Sequence, residues 1–395
     1  MTAGALSGIR VLELSRYIAA PYCGKALGEM GADVIKIEEP ERGDPMRYWQ
    51  SGDRDHSPQF AIYNRTKRGI TLDLKRPEAT EVFLKLAESA DVIVENFRPE
   101  VMGRLGIGWD VLRLGNPRLI YCSISGFGSD GPLSDRPAYD TVISAMGGLF
   151  SQIIDPQHPY PVGPALSDLL AGTHATQGIL AALFARERSG LGQYIDASML
   201  RSTIGFLAEP TSSFLDQGEI TLNNTRQRRA QAYGLVASDD LPFVIHLSVP
   251  DKFWIAVTNV LGRPELRTDP RFVSRDDRHN NYAELDAIFK EIALTRTRVE
   301  WFDLLAEADV PHGPIHGIES LFSDPQVGRL RMVHEIEMPG EQRPLRQVGP
   351  PVAMDGTPLR VHPPAPTHGQ HTAEVLREAG YTDSDILRLR ESGVI

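Results

Sequence analysis

Cysteine is almost absent from this chain: Cys23 and Cys122 are the two in 395 residues, and they stand far apart. That spacing offers neither a disulfide framework nor a metal knot, so a reducing cytosol is the expected setting. No apolar run reaches the length needed to cross a bilayer, and the first ten residues lack the apolar stretch of a secretory leader. Positive charge is in deficit as well. Against 52 Asp and Glu there are 41 Lys and Arg, a net charge of −11, which argues against a general binder of nucleic acid or anionic membrane. A local basic patch for a phosphorylated ligand remains compatible with that balance. No internal repeat is visible.

What is present is the composition of an ordinary globular protein, 41% hydrophobic and 24% charged, long enough for two domains. Through the first 125 residues, short β-branched runs (11–15, 33–38, 69–74, 91–96 and 119–125) alternate with helical stretches (22–30, 77–89 and 100–114). Strands alternating with helices predict a parallel sheet covered on both faces, with the ligand beyond the carboxyl ends of the strands. The first strand runs into residues 15–21 without a glycine triplet, which counts against a nicotinamide or flavin dinucleotide. Gly126, Gly128 and Gly131 have the dinucleotide spacing, but Pro132 and Pro137 follow them, so a loop is expected there. Several cations lie near strand ends: Arg47 beside Tyr48 and Trp49, Arg65, Lys67 and Arg68, then Arg98 and Arg104. Each could be plain solvated loop; together they suit a phosphorylated, adenine-bearing ligand, with guanidinium forks on phosphates and an aromatic on the base.

The chemistry is expected in residues 163–184. Pro164 suits the start of a helix, and apolar and small residues then recur at spacings of three and four: Leu169, Gly172, Thr173, Thr176, Ile179, Leu180 and Leu183. Asp168 falls in the first turn, where free N–H groups and the helix dipole favour a carboxylate; a simple N-cap role for it or Ser167 is the plain alternative. Residues 223–229 read as a basic linker, after which a second module begins near Tyr233. From about residue 335 proline and glycine accumulate, predicting an extended arm that ends in helices over 372–380 and 384–392. The resulting division is 1–222, 223–330 and 331–395.

In this order and spacing the segments resemble the class III CoA-transferases, the family of formyl-CoA transferase, carnitine CoA-transferase and α-methylacyl-CoA racemase. The likeness rests on residues 6–15, 31–38 and 91–99, on Asn64, Lys67 and Arg68, on Ser125 to Gly128, Tyr139 and Asp140, Gly163 to Asp168, Ser189 and Gly190, and 369–376. It implies an α/β fold: a Rossmann-like large domain with a parallel sheet, a smaller α+β domain, and an interlaced homodimer. The family's catalytic aspartate falls on Asp168, and its CoA-binding positions fall on Ile18, Ala19, Lys75, Asn96, Phe97, Arg104 and Tyr139. Ile18 stands where formyl-CoA members carry glutamine, and Arg16 where they carry histidine; both lie where the acyl group sits and point away from oxalate or formate. The shielding glycine-rich loop of those members has no match around residues 238–240.

The implied chemistry moves CoA from an acyl-CoA thioester to a carboxylic acid. Asp168 attacks the thioester to give a mixed anhydride, and the CoA thiolate returns to give an aspartyl-CoA thioester. The helix dipole is expected to keep Asp168 ionised at neutral pH. Arg16, Arg47 and Arg136 are candidates for reading a second carboxylate on a dicarboxylic substrate. No resident cofactor is expected, and no metal: His368 and His371 lie in the proline-rich tail without carboxylate partners. The expected protein is cytoplasmic, with acyl-CoA and carboxylic acid as its partners. Two rivals stand beside this reading. A 2-methylacyl-CoA racemase needs an acid–base pair, and its branch carries a histidine before the aspartate where this chain has Ala138, Tyr139 and Asp140; a non-catalytic acyl-CoA-binding protein is the other.

Overall fold

Short apolar strands set the architecture. In a computed structural model, which describes residues 3–49, 57–155, 157–223, 225–248, 251–338 and 341–395, β1 (Arg10–Leu14) is followed by α1 (Ala19–Glu29) and β2 (Asp33–Glu38). Next come α2 (Pro58–Asn64), β3 (Lys67–Thr71), α3 (Pro77–Glu88) and β4 (Val92–Glu95). Then follow α4 (Val101–Arg104), α5 (Trp109–Gly115), β5 (Ile120–Ser123), α6 (Asp140–Met146), α7 (Leu149–Ile153), the long α8 (Leu166–Ser189), β6 (Tyr194–Asp196) and α9 (Met199–Phe206). The six strands pair in parallel in the order β3-β2-β1-β4-β5-β6, so the direction of winding reverses between β1 and β4.

Alternation along the strands fills two cores. Leu12, Leu14, Ile35 and Ile93 face one side, where they meet Val82, Phe83 and Leu86 of α3 and Val375, Leu376, Ile386 and Leu389 from the chain's end. Val11, Val34, Val92, Val94 and Cys122 face the other side, against Ala20, Cys23 and Leu27 of α1 and Ala171, Ala175 and Ile179 of α8. Burial of each such aliphatic side chain is worth about 1.5–3 kcal/mol, which is what brings the distant C-terminal helices back to this sheet.

The boundaries moved where local chemistry intervened. The helix expected over 100–114 is two, because Gly106 takes a left-handed φ of +74° just after the four-residue α4 and breaks the run before α5. The first helix starts at Ala19 rather than residue 22, with Pro21 inside its first turn, where no N–H is missed. The loop around Gly126, Gly128 and Gly131 is a loop, and no helix opens before Asp140.

The chain divides into two compact units, 1–150 with 160–208 and 331–395, and 151–159 with 209–330. In the second unit α10 (Ala208–Gln217) and α11 (Thr225–Ala230) precede an antiparallel three-stranded sheet, β7 (Ala232–Val236), β8 (Pro242–His246) and β9 (His312–Pro314). The stretch read as a linker is thus largely helical. Four helices, α12 (Lys252–Val260), α13 (Arg275–Asn280), α14 (Tyr282–Ala293) and α15 (Arg298–Glu307), lie between β8 and β9. Tyr233, Phe243, Trp254, Phe289 and Trp301 anchor this unit's own core.

The returning arm is not wholly extended: β10 and β11 (Val333–Ile336 and Leu345–Val348) form a hairpin. Beyond it the chain runs along the exposed edge of the large sheet. Thr66 N–H donates to the Pro363 carbonyl, Gly69 exchanges bonds with His371, and Thr71 N–H donates to Thr372 Oγ1. An open strand edge is thereby covered, and the tail helices, Thr372–Glu378 and Asp383–Glu391, follow.

Candidate active site

Between β1 and β4, where the winding reverses, a parallel sheet opens a crevice at its carboxyl end. The loop after β1 and the loop after β4 meet there through one side chain: Arg16 N–H donates to Asn96 Oδ1 at 3.0 Å, and Asn96 Nδ2 donates to the Arg16 carbonyl at 2.9 Å. The loop after β1 is fixed from below as well. Asp44, fully buried, accepts from Tyr17 N–H and Met46 N–H, and the buried Lys36 ammonium donates to Asp44 and the Ser15 carbonyl. Glu13 and Lys67 complete this closed cluster of two acids and two bases, with Lys67 Nζ 2.9 Å from Glu13. Such compensation is what permits full burial of four charges. Tyr17 is held at φ +65°, a costly conformation that persists where its surroundings over-determine it.

Two cavities flank this junction, and Phe97 lines both. One, of about 180 Å³, runs between Arg16, Glu39, Leu72, Lys75, Val101 and Leu105. The other, of about 280 Å³, is bounded by Tyr17, Ile18, Ala19, Asn96, Tyr139 and Asp168. Its charged lining residues are Asp168, Arg98 and Arg136, and Tyr17 forms an aromatic wall with Trp49 and Tyr139, each 6.0 Å away between ring centroids.

Asp168 sits in the first turn of α8, as the sequence suggests. Gly172, one turn on, lets α8 lie against α1: a Cβ there would come within 2.5 Å of the Ala19 carbonyl. That close approach sets Asp168 beside Ile18 and Ala19. The dipole does not dominate its ionisation. Burial pushes the carboxyl up to about 7, and the Asp140 carboxylate nearby adds to the rise. The reason lies in the cap: Asp140, not Asp168, accepts the free N–H groups of α8, taking Ser167 N–H at 2.7 Å and that of Asp168. The Ser167 hydroxyl is likewise committed, bonded to Ser144 and Thr203 at 2.9 Å each.

The remaining expected residues separate. Ile18, Ala19, Asn96, Phe97, Tyr139 and Arg136 join Asp168 in one cavity, whereas Arg16 and Lys75 line the other. Arg16 is paired with Glu39 at 3.2 Å. Arg104 is exposed and lines neither cavity. Arg47 is engaged elsewhere: it forks Glu38, donates to the Pro366 carbonyl, and lies 3.9 Å from the centre of the Phe60 ring. Both tail histidines face backbone, His368 Nε2 the Glu39 carbonyl and His371 Nδ1 the Gly69 N–H. Among the described residues no group of three metal-ligating side chains occurs and no helix is long and apolar enough to cross a membrane. Cys23, fully buried, has its thiol pushed by that burial up to about 12, so it is no rival nucleophile.

Sequence reasoning passed over Asp140 except as a neighbour of Tyr139, and weighed Arg98 only as one cation among several. Asp140 starts a helix, which is a legible signal; that its carboxylate serves a second helix 27 residues later is not.

Residues 6–372 match CoA-transferase family III. The chain is 36% identical over 389 residues to the succinate–glutarate CoA-transferase of Agrobacterium fabrum, covering 94% of this chain and 95% of that one. It is also 36% identical to the acetyl-CoA:oxalate CoA-transferase of Acetobacter aceti, over 90% of this chain and 92% of the relative. The human succinyl-CoA:glutarate CoA-transferase is 32% identical, over 99% and 90%. Among solved structures, a CaiB/BaiF family protein from Brucella suis superposes with a TM-score of 0.84 at 32% identity, covering 96% of this chain and all of that one. A match this complete in sequence, and of this closeness in three dimensions, makes the chain a member of CoA-transferase family III, an enzyme that moves CoA from an acyl-CoA thioester to a carboxylic acid.

Proposed function

We propose that the acids exchanged are dicarboxylates and that Asp168 carries CoA between them as a covalent intermediate. The observation that carries this is the charge pattern of the Asp168 cavity. Arg136 lines it, is exposed, and has no carboxylate partner among the described residues, whereas Arg16 and Arg47 are already paired. A guanidinium with its donors unspent, across a cleft from the nucleophile, suits the far carboxylate of a short diacid. The names of the relatives, which include glutarate and oxalate transferases, agree.

The steps follow from the residue. The Asp168 carboxylate attacks the thioester carbonyl, CoA leaves as thiolate, and a mixed anhydride forms. The thiolate then attacks the aspartyl carbonyl of that anhydride, releasing the donor acid and leaving CoA on Asp168 as a thioester. The acceptor carboxylate repeats the two steps in reverse. Raised basicity strengthens Asp168 as a nucleophile, at the cost of needing pH near or above 7 to be ionised. CoA lies along Lys75, Phe97 and Asn96, with Ile18, Ala19 and Tyr139 around the thioester and Arg104 meeting a phosphate at the rim. The working protein is an interlaced homodimer in the cytoplasm, without a resident cofactor; the exposure of Phe206, Leu191 and Phe184, at 56%, 60% and 68%, supports a partner surface, and the two buried free thiols suit a reducing compartment.

The test is covalent capture. Incubation with succinyl-CoA alone should add CoA mass to the peptide containing Asp168, hydroxylamine should trap that species as a hydroxamate, and Asp168→Asn should bind CoA but lose adduct and transfer together. Entry of solvent deuterium at the α-carbon of a 2-methylacyl-CoA without any adduct would overturn the nucleophile in favour of racemisation.

A further inference from the structure

Resting on Asp168 as nucleophile, we infer that Asp140 is a positioning residue that sets both the direction and the basicity of the Asp168 carboxylate. Four observations converge. The residue at the N-cap position of α8 is Ala165, which has no side chain to cap with. The Ser167 hydroxyl is occupied in the buried Ser144–Ser167–Thr203 chain. Asp140 therefore supplies the cap from another helix, accepting from Ser167 N–H at 2.7 Å and from Asp168 N–H. Among the described residues no hydrogen bond binds the Asp168 carboxylate itself, and Asp168 lines the cavity.

This arrangement has two consequences. In an ordinary first-turn aspartate, the side chain folds back on the free N–H groups, which lowers its pKa and spends its lone pairs. Here those N–H groups face Asp140, so the Asp168 carboxylate keeps its lone pairs for the thioester. In addition, a second negative charge close by disfavours ionisation of the first. Among the described residues, the titratable groups whose charge couples to Asp168 include no cation: Tyr63 of α2, whose hydroxyl feels the Asp168 charge, and Asp140 of α6. Arg98 and Arg136, the cations of the cavity, are exposed to solvent. Asp140 also follows Tyr139, part of the cavity's aromatic wall, so one residue ties that wall to the nucleophile's helix.

The two roles separate by substitution. Asp140→Asn keeps an oxygen for the N–H groups and removes the charge; Asp140→Ala removes both. With succinyl-CoA and glutarate as substrates, the acidic limb of kcat/KM against pH should lie near 7 in the wild type and move at least half a pH unit lower in Asp140→Asn, with CoA affinity by calorimetry unchanged. Asp140→Ala should lose at least tenfold in the high-pH plateau. If Asp140→Ala does not fold, Asp140→Asn alone decides, since a loss of stability does not shift a limb. An unmoved limb in Asp140→Asn overturns the inference. The underlying reading fails separately: then the wild type itself forms no CoA adduct on Asp168.

Discussion

Asn96 and Arg16 bind each other across the point where the sheet reverses its winding, with the Asn96 side-chain amide both accepting from and donating to the Arg16 backbone. A side chain expected to touch CoA is thus first a clamp on the loop that carries Ile18 and Ala19. Its replacement by leucine removes two hydrogen bonds that each contribute about 0.5–1.5 kcal/mol and leaves the Arg16 groups without partners. Asn96→Leu should lower the urea midpoint and weaken CoA together, whereas Asn96→Asp, which retains only the accepting oxygen, should fall between. Weakened CoA with unchanged stability in Asn96→Leu would mean that the amide acts on the ligand alone.

Arg47 and Glu38 bear on stability rather than on substrate choice. Burial alone would raise the Glu38 carboxyl; the Arg47 fork, the Lys36 charge and the Asp44 N–H together bring it down to about 2. A folded pKa below the ordinary 4.5 means that the pair stabilises the protein above that pH and loses its effect as pH falls from about 4.5 toward 2. Arg47→Leu should cost about 3–5 kcal/mol at pH 7, as breaking a buried pair does, and unfold at higher pH on acidification. Denaturant titrations at pH 7 and pH 4 check both, and transfer per folded enzyme should show no selective loss for diacids.

Arg136 should behave in the opposite way. Removing a charge-assisted contact worth about 1.5–3 kcal/mol lowers kcat/KM about ten- to a hundredfold. For Arg136→Gln that loss should fall on succinate as acceptor and spare butyrate, which has no second carboxylate. Equal losses on both acids would exclude Arg136 from reading the far carboxylate.

The contrast between these arginines marks what was legible in the sequence. Strands were readable because β-branched runs within a parallel sheet are apolar on both faces, and Asp168 because it stands at the head of a helix of small residues. Arg47 and Arg136 look alike in sequence, each a cation near an aromatic. What separates them is long-range: Arg47 reaches Glu38 and a carbonyl 319 residues away, and no local pattern encodes that. Charges inside strands mislead for the same reason. Glu13 and Lys36 interrupt apolar runs, and only pairing across three strands explains why both are fully buried. The helix dipole favours an ionised Asp168, but burial first and the Asp140 charge second push its carboxyl up to about 7, and neither is written in the local pattern.

That reversal predicts a trade between stability and activity at Asp168. In the unfolded chain its carboxyl ionises near 3.8, and in the folded protein near 7. A folded pKa above the unfolded one means that ionisation opposes folding: the penalty is absent below pH 4, grows between 4 and 7, and is complete above 7. At about 1.4 kcal/mol per pH unit, reduced for its partial access to solvent, it amounts to roughly 1–3 kcal/mol. Asp168→Asn removes the charge and should therefore be more stable than the wild type at pH 8 and equal to it at pH 4, in urea titrations at matched protein concentration, although it transfers no CoA. In the wild type, transfer should rise as pH climbs through about 7, at the upper end of the range over which stability falls. A variant no more stable at pH 8 than its parent would mean that the Asp168 carboxylate is well solvated in the folded enzyme, and the acidic limb of the rate profile would then lie near 4 instead of 7.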